Sequence, residues 1–159
     1  LKKLKADNFS DIVSAMALYR PGPMDSIDDY IMRRKNLLEI NYFHDDIKEV
    51  LKETYGVIIY QEQIMHMALV RGFSDFEADQ IRKYVGKKQL DKLKIYRQRW
   101  IEASDEESWD LVANRGLYAF PKAYAIVMAH QAYICAYLKT HFPEEYTRAA
   151  LCVAASDLY

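Results

Sequence analysis

Eight cationic side chains, Arg82, Lys83, Lys87, Lys88, Lys92, Lys94, Arg97 and Arg99, fall between residues 82 and 99, with Asp91 as the only acid among them. The stretch carries a local charge of +7 in a chain of 159 residues whose formal net charge is −1, so the remainder sums to −8. Separation of this size creates a positive face that can attract a polyanion even when the whole molecule is nearly neutral. Arg82 and Lys83 precede Gly86, and Lys87 and Lys88 follow it, so four cations converge near one turn. A triphosphate has the charge density to use them, through the fork of an arginine and the point charges of lysines. A solvated helix surface is the plainer alternative for such a run.

Two shorter stretches also carry polar chemistry in apolar settings. "YQEQ" places Tyr60, Gln61, Glu62 and Gln63 at a helix entry, where a phenol, two amides and a carboxylate can bind a base, a sugar or the neighbouring backbone. "YAFPKAYA" sets Lys122 in the first turn of an apolar helix, where the dipole disfavours a cation. Such inconsistencies concentrate at functional sites, although a lysine that snorkels to water would explain this one too. His44, His66, His130 and His141 show no metal spacing, and no GxSxG, P-loop or GxGxxG is present. The sequence therefore nominates no catalytic residue and no metal ligand.

The elements that must position these groups are helical. "NFSDIVSAM" suggests a short helix capped by Ser10, and Pro21 and Pro23 exclude a helix through the "RPGP" loop that also holds Arg20 and Gly22. Residues 24–36 run from acidic to basic, the order a helix dipole favours, and Asn36 can close them. Residues 44–56 repeat the form with Gly56 as the stop. "VIIY" (57–60) reads either as a short strand or as the approach to the helix that Ile64, Met65, Ala68 and Leu69 define. Ser74 and Glu77 form a capping box, and Gly86 is expected to end the helix it opens as a left-handed cap. Apolar residues at 90, 93, 100 and 101 mark a further helix, the acidic "EASDEESWD" a connector or short helix, and Pro121 the start of a long one reaching His141. A short helix follows Pro143. The expected fold is all-α, a single compact domain over 1–159 with seven or eight helices.

Composition agrees with this reading. A hydrophobic content of 51% supports a real core, and five Gly with four Pro leave no room for a low-complexity linker. "AYAIVMAHQAYICAYL" (123–138) is too short for a membrane span and carries His130 and Gln131, so it is expected to be a buried helix with both groups satisfied by packing. Cys135 and Cys152 lie in apolar surroundings without CxxC spacing and read as reduced core thiols, which suits a cytoplasmic protein. The chain opens on Leu1, and its amino end reads like the middle of a longer protein.

Four stretches together are specific. "ALYRPGPM" (17–24), "TYGVIIYQEQIM" (54–65), "ADQIRKYVGKK" (78–88) and "AYLKTHFPEEYTRAAL" (136–151) resemble, in order and spacing, the alpha subunits of bacterial DNA polymerase III, in the part that forms the helical fingers domain. Two departures stand out: Lys83 takes the place of an arginine, and Tyr124 that of a histidine, within an "FPKA" form closer to the Gram-positive paralogue. The resemblance implies that the intact protein extends a primer by nucleotidyl transfer, with Mg²⁺ held by palm carboxylates outside this chain. No cofactor is implied within it, and the isolated chain is expected to be inactive. Arg82, Lys83, Lys87 and Lys88 would contact the triphosphate of a deoxynucleotide, and Lys92, Lys94, Arg97, Arg99 and Lys122 the template-primer DNA. Arg20, Gly22, Tyr60, Gln61, Glu62, Gln63 and Gly86 would shape the site. The implied partners are DNA, nucleotide, the palm and other domains of the same polymerase, and no membrane. A free-standing helical module that binds nucleic acid or protein is the alternative.

Overall fold

The computed structural model describes residues 3–20, 22–40, 42 and 44–156. Leu1 and Pro21, both invoked above, lie outside them. Among the described residues there is no strand, and the fold is all-α as expected. Helix α1 is Phe9–Leu18 and α2 is Ile27–Arg34, the latter led in by a 3-10 turn at Pro23–Ser26. The single turn α3 (Lys48–Leu51) sits between 3-10 turns, and α4 is Gln61–Val70. Helix α5 is Asp75–Gly86. The basic stretch beyond it breaks into α6 (Leu90–Leu93), a 3-10 turn and α7 (Arg97–Ala103). From α8 (Glu106–Asp110) the chain passes through π and 3-10 turns to α9 (Lys122–His141) and α10 (Pro143–Ser156).

Two apolar clusters share one wall. Ile47, Leu51, Ile64, Met67, Ile81, Val85, Leu93, Trp100 and Val112 fill the larger, built from α3 to α8. Leu4, Val13, Ala17, Leu18, Tyr30, Ala125 and Ala129 fill the other, built from α1, α2 and the start of α9. The extended residues 57–60 run between them. Ile58 packs into the first cluster while Val57 and Ile59 pack into the second, the two-sided alternation of a strand, and Tyr60 ends the alternation by joining Ile59 in the second. Among the described residues a single parallel bridge, Tyr60 to Phe120, is all the ladder the segment has.

Its buried amides therefore need other partners. Gln63 supplies them: its Oε1 accepts from the backbone N–H of Ile59 and of Tyr60, each at 2.9 Å. The amide end of Gln63 donates to Thr54 Oγ1 at 2.7 Å, and Thr54 donates to Val57 O at 2.6 Å. A second buried tie fixes the amino end. Arg34 grips the buried Asp11 through two bonds of 2.8 and 2.6 Å.

Helix ends follow local chemistry more than glycine. The Ser74–Glu77 capping box forms as expected, with both residues bonding back. Asn8 rather than Ser10 caps α1, accepting from Asp11 N at 3.0 Å; Ser10 lies inside the first turn. Three ends put a residue other than glycine in the left-handed region: Asn36 (φ 56°), Tyr55 (φ 54°) and Lys88 (φ 56°). At the last, Gln89 N reaches Tyr84 O at 2.8 Å and Lys88 N reaches Val85 O at 3.0 Å, the paired bonds of a Schellman turn. Gly86 is thus not the cap that was expected. It lies within α5, and Lys88 takes the strained position two residues later.

The carboxyl-terminal expectations need correction as well. Only Ala125 and Ala129 of α9 are buried, where they pack against α1; His130, Gln131, Cys135 and Cys152 are all exposed. The apolar run at 123–138 is accordingly not a buried helix, because α9 continues past α1 and, among the described residues, packs there mainly beside α10. Leu90 also stays on the surface, while Leu93 and Trp100 from the same pattern enter the core.

Replacing Gln63 with Leu removes the acceptor for two buried amides at little cost in volume. We expect Gln63→Leu to lose about 2–4 kcal/mol of unfolding free energy, read as a lower urea midpoint at unchanged slope. A loss below about 1 kcal/mol would show that water replaces the side chain freely.

Candidate functional site

Residues 118–122 are where the polar motifs meet. Arg20 Nη2 donates to Tyr118 O at 2.7 Å, and the Arg20 guanidinium lies 4.3 Å from the Phe120 ring centre. Lys88 Nζ sits 5.0 Å from the centre of the Tyr118 ring. Gln61 donates from its backbone to Phe120 O at 3.0 Å and from its side chain to Ala119 O at 3.3 Å. Phe120 N donates in turn to Ile59 O at 2.8 Å. The "RPGP", "YQEQ", "YVGKK" and "FPKA" stretches, far apart in sequence, therefore share one small region.

Gly22 explains how the loop comes so close. Its φ is 104°, a conformation that side chains rarely adopt, and a Cβ there would overlap the Tyr118 ring. Arg20 has no carboxylate partner among the described residues, and burial lowers its pKa from the ordinary arginine value. Stacking on Phe120 and two carbonyl acceptors, Ala17 O at 2.9 Å and Tyr118 O, hold its charge instead.

Lys122 proves less anomalous than its position in the sequence suggests. Both oxygens of Glu62 accept from its backbone N–H, at 3.0 and 2.9 Å, so a carboxylate from α4 caps the bare amino end of α9. Its ammonium bonds Glu53 at 2.7 and 2.8 Å, and lies 5.3 Å from the Tyr60 ring centre. Tyr60 itself is buried, within hydrogen-bond distance of Ser14 at 3.2 Å, and burial raises its pKa. Of "YQEQ", then, Gln63 and Tyr60 are structural, while Gln61 and Glu62 tie the site together.

The basic stretch divides into paired and unpaired cations. Asp79 holds Arg82 at 2.7 Å and Lys83 at 2.6 Å; Asp91 holds Lys94 at 3.0 Å. Glu106 pairs with Arg97, and Glu77 with Arg99 at 2.7 Å. Arg99 also donates to Gly72 O and lies over Phe73, so it braces α7 against α5. With these four acids counted, the surplus of +7 falls to +4. Lys87, Lys88 and Lys92 have no carboxylate partner among the described residues, and Lys92 rests 5.9 Å from the Tyr84 ring centre.

Asp79, Glu53 and Tyr118 were not nominated from the sequence. Asp79 was readable, since it lies three and four residues before Arg82 and Lys83, the spacing of helical ion pairs. The Lys83 and Arg82 bonds hold its carboxyl below the usual aspartate range. Those ion pairs are thus fully formed above the ordinary pKa of about 3.9 and are lost only as pH falls through the lower folded value. Glu53 and Tyr118 carry no local signal, because only the fold brings them to Lys122 and Gly22. Among the described residues, no group of three or more His, Cys, Asp or Glu is placed to hold a metal ion.

The all-helical body gathers Lys87 and Lys88, without a carboxylate partner among the described residues, and the Asp79-held Arg82 at one turn. The chain belongs to the family of the bacterial DNA polymerase III alpha subunit finger domain, which its residues 1–108 match. It is 44% identical over 153 residues to a DNA polymerase III subunit alpha of Staphylococcus epidermidis, a match covering 90% of this chain and 14% of that protein. To the corresponding protein of Aquifex aeolicus it is 38% identical, over 99% of this chain and 15% of that one. The chain thus spans about one seventh of the length of these relatives.

Gly22 supplies a test of the meeting point. Gly22→Ala should displace the Tyr118 ring and cost about 1–3 kcal/mol of stability, with altered Tyr118 and Phe120 resonances in the NMR spectrum. Unchanged resonances and stability would show that the loop does not press on Tyr118.

Proposed function

We propose that this fingers domain holds the triphosphate of the incoming deoxynucleotide at the turn after α5 and lies along the template-primer DNA during nucleotidyl transfer by a longer, cytoplasmic polymerase. The observation that carries the reading is the pairing pattern of the cations. Lys87 and Lys88 stand without a carboxylate partner among the described residues, beside an arginine whose fork is already oriented, and Lys88 does so at a backbone cost. A left-handed, non-glycine residue costs about 1 kcal/mol or more, and strain of this kind persists where surrounding structure fixes it, often at functional sites. The Schellman turn and the Tyr118 ring provide that fixing.

Roles follow from the contacts. Arg82 offers directed hydrogen bonds, and Lys87 and Lys88 offer charge that needs no fixed direction. Lys83, held by Asp79, is a secondary contact. Lys92 extends the unpaired charge toward the nucleic acid, joined by the exposed Lys94, Arg97 and Arg99 where a phosphate competes for their surface ion pairs. Lys122 is held by Glu53, so a contact with DNA there requires an exchange of partners. Arg20, Gly22, Gln61, Glu62 and Gly86 shape the face, and Tyr60 and Gln63 support it from below. On this reading the metal-assisted step belongs to the rest of the polymerase, and primer extension with Mg²⁺ by the isolated chain is expected to give no product. No described helix is long and apolar enough to cross a membrane.

In the full-length polymerase, Lys87→Ala and Lys88→Ala should each lower catalytic efficiency roughly 10- to 100-fold, the worth of one charge-assisted contact. Lys92→Ala should lose much less. Lys88→Gly should lose as much activity as Lys88→Ala yet keep or gain up to about 1 kcal/mol of stability, because it relieves the left-handed backbone. Single-turnover insertion and urea unfolding read the two effects. Equal, small losses at all three lysines would return the stretch to a general electrostatic surface.

A further inference from the structure

Asp79 is misplaced by charge alone, since an acid inside an anion-binding face weakens the attraction that the face exists to provide. Its geometry gives the reason. Oδ1 accepts from Arg82 Nε at 3.0 Å and from Nη2 at 2.7 Å, while Oδ2 takes Lys83 Nζ at 2.6 Å. From the opposite side, Gln61 Oε1 accepts from Arg82 Nη1 at 3.0 Å. Gln61 is itself fixed by its two bonds to the 119–120 backbone. An arginine has five N–H groups, and three are thereby occupied. One hydrogen remains on each terminal nitrogen of a guanidinium whose side chain is 26% exposed. The plane is held from two helices at once, α5 through Asp79 and α4 through Gln61.

We infer that Asp79 and Gln61 are positioning residues, which hold the Arg82 guanidinium so that its two remaining N–H groups meet two oxygens of the nucleotide's phosphate together. The inference rests on the reading of this turn as a triphosphate site and adds the residues that aim it. A fork fixed in advance loses less freedom on binding than one that must find its pose. Asp79 thus trades net charge for direction, and Lys87 and Lys88 restore the charge. Gln61 also joins the arginine to the segment that Arg20 and Lys88 touch, so a shift of residues 118–120 reaches Arg82 through one side chain.

The sign of the effect separates aiming from charge. Asp79→Asn makes the face more positive by one, so a purely electrostatic surface would bind the nucleotide more tightly. Aiming requires the reverse. In the full-length polymerase, the apparent nucleotide Kd from single-turnover insertion should weaken about tenfold in Asp79→Asn and in Gln61→Leu, at the lower end of what outer-shell partners contribute to metal ligands. The maximal rate should fall less than the affinity, thermal unfolding should shift little, and Asp79→Glu should recover most of the loss. In an Arg82→Lys background, which has no fork to aim, Asp79→Asn should no longer weaken binding. Tighter binding by Asp79→Asn, or an equal loss with and without the arginine, overturns the inference while leaving the triphosphate site standing. If Arg82→Lys alone leaves the nucleotide dependence unchanged, the triphosphate reading at Arg82 fails first, and the inference falls with it.

Discussion

A buried, extended segment without a sheet is the constraint from which the rest of this structure follows. Residues 57–60 bury four large side chains, and their backbone groups would each carry a desolvation penalty if left unpaired. A sheet would pair them with neighbouring strands. Here the Gln63 side chain covers two amides and its backbone N–H the Tyr60 carbonyl, Thr54 covers both backbone groups of Val57, and Phe120 bonds with Ile59 and Gln61. The pairing with Phe120 reaches across 60 residues of sequence and locates the start of α9. It therefore also locates Tyr118, Lys122 and the surfaces that Arg20 and Lys88 lean on. The cationic face is held in place by the same bonds that make the core tolerable.

The electrostatics show a second economy. Most cations of the basic stretch form internal ion pairs that brace α5 and α7 or orient a neighbour, and only a few remain without a carboxylate among the described residues. Exposed pairs of this kind contribute little to stability, so their value lies in where they leave the side chains. Arg99 shows the bracing role, since it joins Glu77, the Gly72 carbonyl and the Phe73 ring. Asp79 shows the orienting role. A face built this way presents modest net charge with defined direction, which suits one compact, highly charged ligand better than indiscriminate adhesion to any polyanion.

What could be read from the sequence was local. Helical periods, the Ser74–Glu77 box and the closing role of Asn36 depend on residues within one or two turns of each other, and the structure shows them. The polar character of "YQEQ" and the oddity of Lys122 were also visible, but not their cause, because Glu62 and Glu53 approach Lys122 only after folding. Gly86 misled because glycine is the usual left-handed cap, whereas the Schellman bonds here close around Lys88. The apolar run at 123–138 misled in another way. Hydrophobicity shows that a surface needs covering, not that this chain covers it, and α9 beyond Ala129 meets little besides α10.

The central claim is that the turn after α5 receives the phosphates of the incoming nucleotide, with Arg82 aimed and Lys87 and Lys88 supplying charge. Its most direct test is an experimental structure of the full-length polymerase with primer-template DNA and a non-reacting deoxynucleotide triphosphate. The account predicts phosphate oxygens within hydrogen-bond distance of both free Arg82 N–H groups and of Lys87 or Lys88 Nζ, with the Asp79 and Gln61 bonds to Arg82 intact. A triphosphate bound beyond reach of Arg82, or an Arg82 that abandons Asp79 to bind it, would contradict the account.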